Sequence, residues 1–262
     1  MFIRAAKKIL GNQIGRLACF IDPKIMAKYI YALIYRLSIN RPAKESLIFL
    51  LELERHLYNL TGTESCRYGD GIHSKHRHLG YHEFFIKNIS SGEKVLDIGC
   101  GNGALTYHLA KSGALVTAMD RDATQIRFAK EHFDHPNIQW IYGEAPQEIP
   151  QNNYQFIVLS NVLEHVEDRI DFIKRIMEKT DPKIWLIRVP CYDRDWRVPL
   201  MDELGVDFRL DNTHYIEYTR DVFEEELNQS DLVPSFIEVR WGEIWCRAKC
   251  KKKRKLNGSL SD

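Results

Sequence analysis

The sequence lacks any run of about eighteen apolar residues, so it predicts no transmembrane helix. It also lacks a strong charge of either sign, because 37 Lys and Arg residues nearly balance 36 Asp and Glu residues. A formal net charge of +1 gives no global field that would attract nucleic acid. The first residues are amphipathic and lack a small-residue cleavage site after a long apolar core. We therefore expect no signal peptide and a cytoplasmic protein.

The cysteines lack the spacing of a zinc finger or a zinc ribbon, and we expect them to be reduced thiols. The six positions are Cys19, Cys66, Cys100, Cys191, Cys246 and Cys250. Hydrophobic residues make up 44% of the chain and charged residues 28%, which is typical of a globular protein. A length of 262 residues is enough for one sizeable core and a small extra lobe.

Leucines at helical spacing follow Pro42, and a similar apolar pattern precedes it. We predict an N-terminal helical extension or cap over residues 1–72, with a loop-like stretch rich in Gly, Ser and His at 61–80. The main domain is predicted at 73–250. A basic polar tail at 251–262 is a solvated terminus or makes a weak contact with an anionic membrane surface.

From residue 94 onwards, short apolar runs alternate with amphipathic segments. The runs lie at 94–99, 114–120, 138–143, 154–160 and 184–190, and the helical patterns between them at 103–112, 122–132 and 162–178. This alternation predicts a parallel sheet built from right-handed crossovers. Two further runs flank Gly242 and predict an antiparallel hairpin at the edge of the sheet.

A glycine-rich turn, "VLDIGCGNG", follows the first run. Gly99 suits a sharp turn, and Gly101 lets a ligand approach the backbone closely. The turn lies where open α/β sheets bind ligands, and a dinucleotide or S-adenosylmethionine would use it. Asp97 directly before the glycines would repel a pyrophosphate but would pair with the ammonium group of S-adenosylmethionine, which favours the second ligand.

Acids and a serine follow the next three runs. Asp120 is placed to accept hydrogen bonds from both ribose hydroxyls, although it would also cap the following helix. Glu144 would accept a hydrogen bond from the adenine amino group, or is a surface acid. Ser160 ends the fourth run beside the same pocket.

Together, "VLDIGCGNG", "AMD", "YGEA" and "FIVLSNVLEHV" resemble the class I S-adenosylmethionine-dependent methyltransferases. They are similar to the branch that contains ubiquinone-biosynthesis O-methyltransferases and bacterial small-molecule and glycan methyltransferases. The resemblance, over residues 75–250, implies an α/β, Rossmann-like fold. Its sheet would have seven mostly parallel strands and an antiparallel last strand, with helices on both faces.

The resemblance also implies S-adenosyl-L-methionine as the cofactor and assigns residues to it. The assigned residues are Arg77, Asp97, Gly99, Gly101, Asp120, Glu144 and Ser160. Arg77 matches an arginine that contacts the cofactor carboxylate in ubiquinone-type relatives. Glu144 departs from the family, which more often has Asp there.

Methyl transfer to a hydroxyl needs a base, and histidine is the natural candidate. His214 lies in a long insertion at 191–219 that would cover the pocket; the alternative is a capping or salt-bridging histidine. His165 is the second candidate. Relatives bind a divalent metal through an E-x-x-E-H pattern, whereas this chain has Asn161-x-x-Glu164-His165. An amide is a weaker ligand, so we predict no metal and a packing and hydrogen-bonding role.

Two further clusters remain open. Loop histidines between residues 73 and 82 lack the partners of a zinc site and would line the cofactor entrance. Alternating charges around Trp196 suit a sugar or a salt-bridged surface loop. We therefore predict a methyltransferase acting on a hydroxyl of a small polar or sugar-containing acceptor, and no nucleic-acid partner. The alternatives are an NAD(P)-binding oxidoreductase and a non-catalytic cofactor-binding protein.

Overall fold

The structure is a computed structural model that describes residues 21–69 and 73–251. The helices are α1 (Pro23–Ile39), α2 (Ala43–Tyr68), α3 (Ser74–Leu79), α4 (Tyr81–Asn88), α5 (Ala104–Lys111), α6 (Ala123–His132), α7 (Arg169–Thr180), α8 (Arg197–Leu204) and α9 (Arg220–Gln229). Short 3-10 turns lie at Leu163–His165 and Tyr192–Arg194. The strands are β1 (Lys94–Ile98), β2 (Leu115–Asp120), β3 (Ile138–Tyr142), β4 (Phe156–Ser160), β5 (Ile184–Pro190), β6 (Leu232–Arg240) and β7 (Glu243–Cys250).

The seven strands form one sheet in the order β3-β2-β1-β4-β5-β7-β6. The pairs among β1 to β5 are parallel, and β7 runs antiparallel to both β5 and β6. The predicted hairpin is therefore present, and its second strand is inserted between β5 and β6. These observations confirm the fold class predicted from the sequence.

Both faces of the central strands are buried, and successive side chains point to opposite faces. Val95 and Val158 lie in a core cluster with residues of α4 and α5. Leu96 and Leu159 lie in the other cluster with residues of α7 and α9. The apolar runs are therefore continuous rather than alternating, as expected for strands covered by helices on both sides.

Two boundaries differ from the sequence-based expectation. The helix predicted from residue 162 begins only at Arg169, where the Asp168 carboxylate accepts a hydrogen bond from the Asp171 amide. The chain first turns at Asn161, whose φ is 57°. The predicted loop at 61–80 was also wrong in part, because α2 continues to Tyr68 and α3 begins at Ser74.

The described residues divide into two compact units. One contains residues 21–60 and 201–207, and within it Arg55 forms an ion pair with Asp207 at 2.7 Å. The other contains the remaining described residues and the whole sheet. The predicted boundary near residue 72 stays a prediction. Among the described residues, no helix combines the length and the apolar character that crossing a bilayer requires.

A buried ion pair joins β5 to β7 near their paired ends. The Arg188 guanidinium donates to both carboxylate oxygens of Glu243 at 3.1 Å, and the two side chains are 5% and 8% exposed. Trp245 donates its indole N–H to the same carboxylate, and Arg188 stacks over the Tyr81 ring at 3.8 Å. Each partner would be an uncompensated buried charge without the other.

We expect Glu243→Ala to lower the free energy of unfolding by about 3 to 5 kcal/mol, because it leaves the Arg188 charge buried without its partner. Chemical denaturation followed by circular dichroism measures this. Glu83→Ala, which removes the exposed ion pair between Glu83 and Lys87, is the matched control and should change little. Equal stability of the two variants would contradict a structural role for the buried pair.

Candidate active site

A cavity of about 470 Å³ opens at the carboxyl ends of the parallel strands. Residues that end or follow β1, β2, β3 and β4 line it, among them Gly99, Asp120, Glu144 and Asn161. His165 lines the same cavity from the 3-10 turn after β4. Three of the residues assigned to the cofactor, Gly99, Asp120 and Glu144, are thus brought together, along with one of the two candidate bases.

The glycine-rich turn is held against the end of β2. Gly99 and Cys100 donate their amides to the Met119 carbonyl, at 2.8 and 3.1 Å. Gly99 has a φ of 69°, and a Cβ at this position would lie 2.7 Å from Val162 Cγ2. Gly101 has a φ of 53°, and a Cβ there would meet none of the described heavy atoms within 4 Å. The backbone at Gly101 is therefore open to close approach by a ligand.

Asp120 joins the turns that follow β1 and β2. Its carboxylate accepts from the Gly101 amide and from the Asp122 amide, both at 2.8 Å. The alternative role as a helix cap belongs instead to Asp122, which accepts from the Thr124 amide at the start of α6. Two amide donors fix the Asp120 carboxylate at the wall of the cavity, where its remaining lone pairs suit a diol.

Asp97 lies beneath the turn and is 1% exposed. Its carboxylate accepts a hydrogen bond from the Thr106 hydroxyl at 2.6 Å. Burial raises the pKa of Asp97 to about 7, and the neighbouring Asp120 acts in the same direction, while the Thr106 hydrogen bond opposes them. A cationic group next to this carboxylate would restore its charged form.

The other assigned cofactor residues lie in different surroundings. The Ser160 hydroxyl accepts from Arg188 Nε at 3.1 Å, so it contacts the buried ion pair. Arg77 is exposed on α3. Neither residue is among those lining the cavity described above. Glu144 does line it and is exposed, and its backbone amide donates to the Glu148 carboxylate.

His165 is oriented by Thr213, which also lines the cavity. The Thr213 hydroxyl lies 2.7 Å from an Asp211 carboxylate oxygen and 2.8 Å from His165 Nδ1. A hydroxyl has one hydrogen, and the carboxylate can only accept it. His165 Nδ1 must therefore donate to Thr213, which leaves the lone pair on Nε2.

His214 is oriented in the same way by a buried carboxylate. Its Nδ1 lies 2.9 Å from Glu217 Oε1, and the Glu217 side chain is fully buried. Arg194 forms an ion pair with the other oxygen of this carboxylate at 2.7 Å. Glu217 therefore accepts a hydrogen bond from Nδ1–H, so the neutral form of the ring has its lone pair on Nε2. The contact corresponds to the alternative of a salt-bridging histidine, and the sequence signal for the partner is a glutamate three residues after His214.

Glu164 completes a group with the two histidines. One ligand atom from each of Glu164, His165 and His214 lies within 4.8 Å of the others. Within the described part of the chain, neither carboxylate oxygen of Glu164 has a hydrogen-bond partner, nor has the buried Asn161 Oδ1. Burial raises the pKa of Glu164 to about 8. Lone pairs from a carboxylate and two imidazoles are a donor set that suits a divalent cation.

The charges of the insertion pair with one another. Arg194 donates to Glu217 and to the backbone carbonyls of Cys191 and Phe208. Arg197 and Asp195 form an ion pair at 2.7 Å beside an exposed Trp196. These contacts correspond to the alternative of a salt-bridged loop. The hypothesis of a sugar-binding surface stays untested.

The loop histidines contribute to local structure. His73 Nδ1 accepts from the Lys75 amide and caps α3. His82 Nδ1 lies 2.5 Å from His108 Nδ1, and burial lowers the pKa of His82 to about 3. Burial also lowers the pKa of His76 to about 4. These rings are thus neutral parts of the helix packing.

The fold and the site together match a known class. A family model described as a methyltransferase domain matches residues 73–234, more than half of the chain. The chain therefore belongs to this methyltransferase family. It is a class I S-adenosylmethionine-dependent methyltransferase, as the motifs in the sequence predicted.

Several curated relatives are named ubiquinone biosynthesis O-methyltransferases. A mitochondrial ubiquinone biosynthesis O-methyltransferase from Schizosaccharomyces pombe is 37% identical over 104 residues, which cover 38% of each protein. A ubiquinone biosynthesis O-methyltransferase from Rhodopseudomonas palustris is 30% identical over 167 residues, covering 58% of this chain and 66% of that protein. The matches thus span less than two thirds of these relatives.

Solved structures share the fold at low sequence identity. The magnesium protoporphyrin IX methyltransferase from Synechocystis PCC 6803, crystallised with bound SAH, has a TM-score of 0.53 at 17% identity. The match covers 66% of this chain and 84% of that one. The small RNA methyltransferase HEN1 has a TM-score of 0.54 at 17% identity, with 66% and 25% covered. The oxidoreductase alternative receives no support from these matches.

The buried Asp97 should make the stability of the ligand-free protein depend on pH. Its pKa is raised in the folded state, so the folded protein binds an extra proton between the ordinary pKa of aspartate and about 7. The free energy of unfolding therefore decreases as the pH rises through that range, because the buried Asp97 carboxyl loses its proton. We expect Asp97→Asn to have a shallower decline in melting temperature between about pH 4 and pH 7.

Differential scanning calorimetry across this range measures the effect. Asp122→Asn removes an exposed acid two residues beyond Asp120 and serves as the control. If the melting temperature of Asp97→Asn declines with pH as steeply as that of the unaltered protein, a group other than Asp97 causes the decline.

Proposed function

We propose that this methyltransferase transfers the methyl group to a hydroxyl of a small acceptor. The observation that carries the proposal is the pair His165 and His214, whose Nδ1 atoms are engaged by Thr213 and Glu217. Two imidazoles beside the buried Glu164 carboxylate, each with Nδ1 already engaged, suit an acceptor that must lose a proton. An acceptor that is already a nucleophile without losing a proton would need no such pair of histidines.

The residues around the cavity suit the cofactor in a consistent order. The Gly99–Gly101 turn and Asp97 are suited to the methionine end, with its ammonium group. Asp120 is suited to the ribose diol, and Glu144 to the adenine amino group. The open backbone at Gly101 and the fixed Asp120 carboxylate support this order. The assignments of Arg77 and Ser160 stay predictions, because one is exposed and the other contacts Arg188.

Relatives named ubiquinone biosynthesis O-methyltransferases support a phenolic hydroxyl as the first acceptor class to test. A sugar hydroxyl is the second class. The charged insertion residues that suggested it make ion pairs with one another. We therefore give the phenolic class priority.

S-adenosylmethionine supplies a methyl group on a sulfonium, so the protein has only to position the acceptor and accept one proton. In the proposed step, the acceptor oxygen bonds to the methyl carbon as the carbon–sulfur bond breaks. The hydroxyl proton passes to His214 Nε2. Glu217, which accepts a hydrogen bond from His214 Nδ1–H, stabilises the resulting imidazolium.

As an alternative to the histidine base, a divalent cation fits the same group of side chains, because a ring nitrogen that binds the cation cannot also accept the hydroxyl proton. Glu164, His165 and His214 would hold it, and Asn161 offers an unpartnered amide oxygen at the wall of the cavity. Such a cation would act as a Lewis acid towards the acceptor oxygen. This proposal reverses the expectation of no metal, on the ground that the Glu164 carboxylate is buried without another partner.

Removal of the Asp120 carboxylate should weaken cofactor binding. Asp120→Ala loses the acceptor for the ribose and frees the Gly101 amide, so we expect the dissociation constant for S-adenosylmethionine to rise at least about tenfold. Titration calorimetry measures it. Asp122→Ala, which removes only the cap of α6, should bind the cofactor like the unaltered protein. Equal affinities of both variants would remove Asp120 from the cofactor site.

His214→Ala should slow methyl transfer to 1,2-dihydroxybenzene by about 100-fold or more, because the proton acceptor is lost. The assay follows the labelled methyl group, with methyl glucoside as the competing acceptor class. Glu217→Gln should reduce kcat while leaving cofactor affinity unchanged, and His132→Ala is the control at an exposed histidine. Undiminished activity in His214→Ala would contradict the proposed base.

The same assay after chelation separates the base from the cation. If a cation contributes, Mn²⁺ restores methyl transfer after the chelator has removed the metal. In Glu164→Gln, added Mn²⁺ should then restore no activity. Full activity after chelation would leave the histidine mechanism without a metal.

A further inference from the structure

Helix α1 presents apolar side chains to solvent along its whole length. None of its 17 residues is buried within the described part of the chain. Tyr29 is 72% exposed, Leu33 60% and Ile25 50%. Soluble surfaces rarely leave so many neighbouring apolar side chains uncovered, so this helix marks an interaction surface.

The exposed apolar side chains form two stripes. In the first, Ile25, Tyr29, Leu33 and Leu37 follow one another at intervals of four residues, with Ile30 beside them. The second consists of Tyr31, Tyr35 and Ile39 and lies on the side of the helix that carries Lys24 and Lys28. Apolar surface therefore covers most of the helix, and tyrosines lie beside the two lysines.

Its charges have one sign. The helix contains Lys24, Lys28 and Arg36, and no acidic residue lies between Pro23 and Ile39. Arg41 lies two residues beyond the end of the helix, and the N-cap residue Asp22 directly precedes the helix. A partner that complements this helix is therefore apolar where the stripe lies and anionic around it.

A lipid surface has both properties. Tyrosine is favoured at the boundary between headgroups and acyl chains, and lysine and arginine reach anionic headgroups with long side chains. A span would need about 20 apolar residues, so a basic helix of this length lies in the plane of the surface. A second copy of α1 would instead bring like charges together.

We propose that α1 binds flat to the surface of a bilayer that contains anionic lipid. The stripe that begins at Ile25 enters the boundary of the acyl chains, and Lys24 and Lys28 contact phosphate groups beside Tyr31 and Tyr35. This surface is separate from the residues that line the cavity, and its test does not depend on methyl transfer.

Sedimentation of the full chain with vesicles tests the proposal. We expect binding to vesicles of phosphatidylcholine with about one third phosphatidylglycerol, weaker binding to phosphatidylcholine alone, and a decline with added salt. Tyr29→Ser/Leu33→Ser and Lys24→Gln/Lys28→Gln should each reduce partitioning about tenfold or more. Trp241→Ser, which removes an aromatic ring that is also 72% exposed, should not.

A second measurement reports the position of the helix in the folded protein. Tyr29→Trp should add fluorescence that brominated lipids quench, relative to the unaltered chain. The proposal is overturned if the full chain does not sediment with anionic vesicles. It is also overturned if both α1 variants bind as well as the unaltered chain, which would assign binding to the basic residues 252–262. Loss of self-association in the α1 variants, measured by light scattering without lipid, would identify a second copy as the partner.

Discussion

Parallel pairing of β1 with both β2 and β4 determines where the groups of the candidate site lie. The carboxyl ends of these strands meet at one edge of the sheet, so the turn after β1 lies against the end of β2. Three amides of this turn donate to Met119 and Asp120. The conformation of the glycines is therefore fixed by the sheet before a ligand binds, and the ordering cost of binding is correspondingly low.

The segment directly after β4 is irregular, and its conformation brings polar side chains to the candidate site. A helix continuing directly from β4 would satisfy its own amides. Instead, Asn161 adopts a left-handed conformation, and Glu164 lies buried with its carboxylate unpartnered among the described residues. Strain and an unpaired buried acid are both destabilising, and they are typical of sites under functional constraint. The neighbouring Arg188 donates to Ser160 and Glu243, and within the described residues no donor reaches the Glu164 carboxylate.

The sequence predicted the sheet well because its signals are local. Strand runs, the glycine-rich turn and the acid at position 120 each depend on a few adjacent residues. Asp97 was expected at the ligand, but its burial and its contact with Thr106 depend on the packing of α5 over β1. The partners of Ser160 and of Arg194 could not be predicted, because they come from residues distant in sequence. Arg197, in contrast, pairs with Asp195 two residues away, as the alternative of a salt-bridged loop allowed. Helix α2 continued through Gly62 against its local composition, since composition alone does not determine where a helix ends.

The orientation of the two histidines distinguishes a functional pair from two structural ones. A capping or salt-bridging histidine is explained once its Nδ1 contact is known. Here Thr213, held by Asp211, orients the ring of His165, and Glu217 orients the ring of His214. The centroids of the two rings lie 4.5 Å apart. Both contacts leave Nε2 of the neutral ring with its lone pair. One ring nitrogen of each histidine also lies within 4.8 Å of the unpartnered carboxylate of Glu164. Two histidines that only pack in the core have no need to share one tautomer. Proton transfer or cation binding does need it, because both use the lone pair on Nε2.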